Sequence, residues 1–215
     1  IQQIQTEAAV WVKLDHPRIL KFLGIYTVDE TIYLVSPFAE NGSLPSYLEN
    51  FPQADRGRLV VEIAEGLAYL HPFEPGIIHG DVKGNNVLIP SDHRPRLCDF
   101  GLARHVDART ATSLKGAGSV PWQSPEVLRD EASKSFQTDV YAFGITIYEA
   151  GCGRIPYFDY PSIGSMIAGV LFAGVRPPME PASAPNDISY SRIWAEAARC
   201  WSDDPAERPS MVDVL

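Results

Sequence analysis

The stretch His79-Gly80-Asp81-Val82-Lys83-Gly84-Asn85-Asn86, with Asp99-Phe100-Gly101 downstream, decides how this chain is read. Asp81, Asn86 and Asp99 stand at intervals of five and thirteen residues. A carboxylate on a loop can orient an attacking hydroxyl. An amide oxygen and a second carboxylate are hard ligands that suit a divalent ion held on a polyphosphate. Lys83, two residues beyond Asp81, adds a cation for charge developing on a transferred group. Taken singly, Asp81 reads as an aspartate in a polar turn and Lys83 as a surface lysine. Together, in this order, they form a specific signal. Residues 87–89, Val-Leu-Ile, read as a buried strand between the two loops.

Around these loops lie 215 residues, 45% hydrophobic and 21% charged, enough for one well-buried domain. The chain starts at Ile1 and stops at Leu215, and both ends read as cuts inside a longer polypeptide. No signal peptide is expected, and no apolar run in these residues approaches the roughly 20 residues of a membrane helix. Cys98, Cys152 and Cys200 are odd in number and widely spaced. That pattern fits reduced thiols in the cytoplasm better than disulfides or a metal site. Cys98 reads as a small buried hydrophobe rather than a nucleophile. A net charge of −9 argues against binding nucleic-acid phosphates. An acidic surface suits basic peptide segments, and solubility explains it equally well.

Ile4, Ala8, Trp11 and Leu14 have near-helical spacing, and His16-Pro17 ends that segment. Residues 20–26 and 31–36 are short, β-branched and aromatic, and read as an antiparallel hairpin. Ser43 is placed to cap a short helix through Leu48. Residues 55–71 carry the clearest helical stripe, Leu59, Ile63, Leu67 and Leu70. Tiny strands and loops are expected over 76–97, and helices over 137–150, 163–173 and 191–201, separated by proline-rich connectors. The expected class is α+β: a small β-containing piece followed by a mostly helical one.

His79-x-Asp81-x-Lys83-x-x-Asn86 with Asp99-Phe100-Gly101 resembles the catalytic and metal-binding loops of protein kinases. Ser124-Pro125-Glu126 resembles the motif that closes a kinase activation segment. Residues 139–144, Asp-Val-Tyr-Ala-Phe-Gly, resemble the buried helix whose Asp receives catalytic-loop amides. Cys200-Trp201, Asp204-Pro205 and Arg208-Pro209 resemble the end of the domain, which implies an Arg208–Glu126 salt bridge. The resemblance runs from Glu7 to Leu215. It divides the chain into a partial small lobe over 1–36 (helix C and strands 4–5), a hinge over 37–41, and a complete large lobe over 42–215.

By this resemblance Asp81 aligns the substrate hydroxyl, Lys83 balances charge, and Asn86 and Asp99 hold Mg²⁺, with Mn²⁺ as an alternative. Ser119 bonds the catalytic Asp and Lys, as the threonine of Ser/Thr kinases does. Ser36 is the gatekeeper, and Pro37 and Ala39 offer a carbonyl and an N–H to the adenine of ATP. Leu88 is the floor under that ring. Glu7 aligns with the helix Glu that pairs with a strand lysine, and without that lysine it is expected to be an exposed helix glutamate. Phe22, Trp11, Phe100 and His79 are expected to stack as a column.

His-Gly-Asp also occurs in small-molecule phosphotransferases acting on aminoglycosides or choline. Residues 118–126, Gly-Ser-Val-Pro-Trp-Gln-Ser-Pro-Glu, match the kinase activation segment, which those enzymes lack. Ser119, with Gly42-Ser43-Leu44 and the region of Trp201, resembles the tyrosine-kinase-like group of Ser/Thr kinases, whose acceptors are protein Ser and Thr hydroxyls.

Gly80 stands where most protein kinases carry Arg. The expectation is that phosphorylation at Thr110, Thr112 or Ser113 does not switch activity through that position. No G-x-G-x-x-G and no Val-Ala-x-Lys precede Glu7. These 215 residues alone are therefore expected to turn over weakly or not at all, and a non-catalytic scaffold (pseudokinase) is the competing reading.

Overall fold

In the computed structural model, which describes residues 2–106, 118–178 and 188–215, the alternating runs pair as short ladders and the periodic segments coil. Helix α1, Gln2–Trp11, stops short of Leu14, although Leu14 is still buried. Pro17 disfavours helical backbone at His16, so the chain turns before reaching it. Strands β1, Gly24–Val28, and β2, Thr31–Val35, pair antiparallel from Gly24↔Val35 to Val28↔Thr31. Asp29 and Glu30 both have positive φ, 47° and 62°, as a tight two-residue hairpin turn requires. The first strand begins at Gly24 and not at Leu20, because the Leu20 amide instead bonds Leu97 O at 2.9 Å.

Helix α2 is Leu44–Asn50. Ser43 occupies its N-cap position without capping it: its hydroxyl lies 3.3 Å from Ser46 Oγ. Pro45 in the first turn has no N–H to offer. Helix α3, Arg56–Leu70, is capped by Asp55, which accepts the Arg58 N–H at 2.9 Å. Its stripe of Leu59, Ile63, Leu67 and Leu70 is fully buried, each side chain contributing ~1.5–3 kcal/mol.

Four two-residue strands then frame the functional loops. Strand β3, Ile77–Ile78, pairs with β6, Arg104–His105, while β4, Val87–Leu88, pairs with β5, Arg96–Leu97. The expected strand over 87–89 is thus cut to two residues, although Ile89 is buried beside it.

The helical part comprises α4, Pro125–Leu128, α5, Phe136–Cys152, α6, Ile163–Ala173, α7, Ile188–Cys200, and α8, Met211–Val214. Helix α5 starts with a reciprocal capping box between Ser135 and Thr138. It is buried on nearly every side, from Thr138 to Ala150, as befits a helix apolar all round. Helices α3 and α7 pack on it. No helix among the described residues is long and apolar enough to cross a membrane.

Arg208 and Glu126 form the expected ion pair, bidentate at 2.7 and 2.9 Å. Arg208 also donates to Ser202 O and Gln137 O, and its guanidinium lies over the Tyr141 ring. Burial pushes the Glu126 carboxyl up, but the hydrogen bonds and charge of Arg208 outweigh that and hold it below its ordinary value. A depressed folded-state pKa gives stability that is present above the unfolded value and lost as pH falls through the folded one. Arg208→Ala should therefore cost about 3–5 kcal/mol in urea unfolding at pH 7, because it strands a half-buried carboxylate. The double variant Arg208→Met/Glu126→Leu should cost less than either single change. A single-variant cost below about 1 kcal/mol would mean that the pair behaves as a surface bridge.

Candidate active site

Everything around Asp81 hangs on a carboxylate fifty-eight residues away. Asp139, buried in the first turns of α5, accepts the His79 N–H at 2.7 Å and the Gly80 N–H at 2.8 Å. His71 Nε2 lies 3.3 Å from the same group. Burial pushes this carboxyl up, yet the hydrogen bond and charge of His71, together with His79 and the Gly80 N–H, outweigh it and keep Asp139 below its ordinary pKa. The His79 ring is fully buried, and burial lowers its pKa, so the imidazole is neutral at pH 7. Its Nε2 sits 3.1 Å from Cys98 O, an acceptor, which puts the proton on Nε2. Nδ1 is then free to accept the Asp81 N–H at 3.3 Å.

Asp81 is surrounded by donors. Lys83 Nζ donates to Asp81 Oδ2 at 2.6 Å and to Ser119 Oγ at 2.7 Å, while the Ser119 N–H reaches Asp81 Oδ1 at 3.1 Å. Asn86 Nδ2 donates to both Asp81 O and Asp81 Oδ2, at 2.8 and 3.0 Å. The Asn86 amide nitrogen is thus committed to Asp81, and its oxygen is the atom left for a cation. Burial pushes the Asp81 carboxyl up, but Lys83, the Ser119 amide and Asn86 outweigh it, and its pKa lies below the ordinary value. The four residues 81, 83, 86 and 119 lie together, in the contacts that the resemblance implied.

Asp99 is exposed, in left-handed backbone at φ 61°, and follows Cys98, whose N–H bonds Asn86 O at 2.9 Å. Glu7 differs from expectation. It is half-buried, not exposed, because it rests against the Asp99 loop instead of pointing into solvent. Burial, then the Asp99 charge, raises its pKa, while the Phe100 N–H partly offsets both. The aromatic column is present: Trp11 lies 5.3 Å from Phe22 and 5.8 Å from Phe100, and Phe100 lies 5.3 Å from His79. Trp11 fills its place fully, with its indole N–H donated to Leu20 O.

Ser36 is half-buried at the end of β2, with its hydroxyl 3.4 Å from Pro37 O. Pro37 is exposed, Ala39 half-exposed, and Leu88 half-buried on β4. Cys98 is buried, and burial, with the charges of Asp99 and Glu7, pushes its thiol up to about 12, so it is no nucleophile. Thr110, Thr112 and Ser113 lie outside the described residues.

Two further residues bear on the site. Glu149, in the last turn of α5, accepts the Gly84 N–H at 2.8 Å and the Trp122 indole N–H at 3.2 Å. It joins the loop that carries Asp81 to the 3₁₀ turn Val120–Trp122. Its signal in the sequence is plain afterwards: Asp139 and Glu149 are the two acidic residues of an otherwise apolar helix. Lys134, from the polar connection between α4 and α5, donates to Gly80 O. A lysine in an exposed-looking linker gave no such signal.

A family model described as protein tyrosine and serine/threonine kinase matches residues 1–215. The chain belongs to that family. It is similar to the serine/threonine-protein kinase CTR1 of Arabidopsis thaliana, 29% identical over 221 residues covering 100% of this chain and 26% of that protein. It is 31% identical over 226 residues to the probable serine/threonine-protein kinase drkC of Dictyostelium discoideum, covering 100% of this chain and 28% of that one. With the leucine-rich repeat receptor protein kinase MSP1 of Oryza sativa subsp. japonica it shares 33% identity over 221 residues, 94% of this chain and 17% of the relative. The chain thus spans between 17% and 28% of these relatives' lengths. Membership in a kinase family carries with it the use of ATP and a divalent metal.

Gly80 has φ +80°, and a Cβ there would meet Leu102 O at 2.9 Å and Lys134 Cδ at 3.3 Å. In this kinase domain Gly80→Ala should therefore cost about 1–3 kcal/mol and lower the melting temperature in a thermal unfolding scan. An unchanged melting temperature would show that the loop relaxes freely around a side chain.

Proposed function

We propose that this domain transfers the γ-phosphoryl group of ATP to serine or threonine hydroxyls of proteins. The observation that carries the reading is the Asp81–Lys83–Ser119 cluster, closed by Asn86, on a loop anchored to Asp139. In this reading the acceptor hydroxyl donates a hydrogen bond to Asp81 and is thereby aimed at the phosphorus. A carboxylate whose pKa is held below the ordinary value is a weak base. That suits orientation of the hydroxyl in a loose transition state, where little proton transfer is needed early. Lys83 places positive charge beside the developing negative charge. Ser119 fixes Lys83 with its hydroxyl and Asp81 with its amide.

Asn86 and Asp99 fit a divalent ion by donor chemistry, one amide oxygen and one exposed carboxylate. Among the described residues no cluster of three or more His, Cys, Asp or Glu could hold a metal. Two protein oxygens with phosphate oxygens completing the shell favour Mg²⁺, with Mn²⁺ as an alternative. When bound, the ion neutralises phosphate charge. Adenine is assigned to the edge formed by Ser36, Pro37 O, the Ala39 N–H and Leu88. This divides the chain into a partial small lobe over 1–36, a hinge over 37–41 and a large lobe over 42–215. Glu7 serves to hold the Asp99 loop. Three free thiols support a reducing, cytoplasmic setting.

The competing reading is a non-catalytic scaffold. The discriminating assay follows phosphate transfer from labelled ATP to a generic Ser/Thr protein substrate by the full-length protein. Asp81→Asn should lower kcat at least about a hundredfold, in the range of lost acid–base and orienting groups. EDTA should abolish transfer. Equal signal from wild type and Asp81→Asn would remove Asp81 from catalysis, and no transfer by wild type would leave the scaffold.

A further inference from the structure

The Gly80–Asp81 peptide is pinned at both of its polar atoms. Its N–H goes to His79 Nδ1 at 3.3 Å, and its carbonyl accepts the ammonium of Lys134. The peptide before it gives its N–H to Asp139 at 2.8 Å. Gly80 sits at φ +80° and has no side chain to resist rotation of the plane that carries Asp81. Something outside the loop must hold that plane. Asp139 holds only the preceding peptide, and His79 Nδ1 takes the Asp81 N–H from within the loop, so the carbonyl side falls to Lys134.

Lys134 is well placed for this. A Cβ on Gly118 would lie 2.9 Å from Lys134 Nζ and 3.2 Å from Asp81 Oδ1, so both side-chain ends converge on one glycine. The aliphatic stem packs over Gly80, with Cδ 3.3 Å from where its Cβ would be. The Lys134 carbonyl in turn accepts Arg104 Nη2 from β6, just beyond the Asp99 loop. Asp81 and Asp139 attract the ammonium, while Lys83 and Arg104 oppose it. Lys134 also lines a small cavity with Asp81, Ser119 and Thr138.

We propose that Lys134 is a positioning residue for phosphoryl transfer: its ammonium clamps the Gly80 carbonyl and thereby fixes the plane that aims Asp81. The clamp is an unmodified side chain of the α4–α5 connection, present without any phosphate. It also ties the catalytic loop, through Arg104, to the segment that follows Asp99. The proposal rests on the kinase reading for its kinetic consequence and on geometry alone for the clamp.

The test compares wild type, Lys134→Met, Lys134→Arg and Asp81→Asn in the full-length protein, with ATP, Mg²⁺ and a Ser/Thr substrate. Methionine keeps the apolar stem and removes the charge. Lys134→Met should lower kcat about tenfold to a hundredfold, the range for a misplaced reacting group. Its KM for ATP should stay within about twofold. Lys134→Arg should recover at least part of kcat. Hydrogen exchange of the amides at 80–82 should quicken in Lys134→Met while α3 and α7 keep their protection. A Lys134→Met kcat within about twofold of wild type overturns the proposal. So does a fall in kcat with unchanged exchange at 80–82. If wild type and Asp81→Asn transfer phosphate equally, the kinase reading fails instead. The exchange measurement still decides the clamp: unchanged protection at 80–82 in Lys134→Met refutes it.

Discussion

The buried carboxylate of Asp139 is the constraint on which the site depends. Placing an ionised group inside an apolar helix is costly unless every lone pair finds a donor. Here the donors are backbone amides of the loop that carries Asp81. Desolvation therefore works in favour of loop order: releasing His79 and Gly80 would leave a buried charge with too few partners. Glu149 repeats the device further along α5, on Gly84 and Trp122. One central helix thus fixes two points of the catalytic loop, and its apolar remainder fastens those points to α3 and α7.

A second set of forces acts on side chains. Asp81 would be pushed toward protonation by burial, and its ionisation is maintained by Lys83, the Ser119 amide and Asn86. Ser119 belongs to the segment closing on α4, so order in that segment is coupled to the charge state of Asp81. From the other side, Phe22, Trp11, Phe100 and His79 form a continuous stack. Aromatic pairs of this kind contribute about 0.5–1.5 kcal/mol each beyond their burial. They join α1 to the loop whose N–H groups Asp139 holds.

Much of this was legible from residue order. The α3 stripe, the hairpin, the 163–173 helix and the Arg208–Glu126 pair follow from periodicity or from motif resemblance, and the Asp81, Lys83, Asn86 and Ser119 cluster likewise. What escaped was set by tertiary contact. Glu7 was expected to be exposed because its lysine partner is absent, yet the Phe100 amide and the surface beside Asp99 provided another seat. Ser43 stands where a cap should be, but Pro45 removes one first-turn amide and the Ser43 hydroxyl turns to Ser46 Oγ instead. Lys134 sits in a linker whose composition suggests only solvation, and its role comes from a glycine more than fifty residues earlier. Local propensity cannot report a partner that the fold supplies.

The Glu126–Arg208 pair spans 82 residues of chain. A contact of that separation is made late, after the loop it closes has already paid its entropy. Synthesis proceeds from the N-terminus, so the polypeptide through α7 can collapse around α5 before Arg208 has left the ribosome. Until then the ledge formed by Ser119 to Leu128 has no guanidinium beneath it. Nascent chains should accordingly hold a ledge fastened at Ser119 and Trp122 but not yet at Glu126, which makes its Glu126 end the last part of the ledge to become rigid.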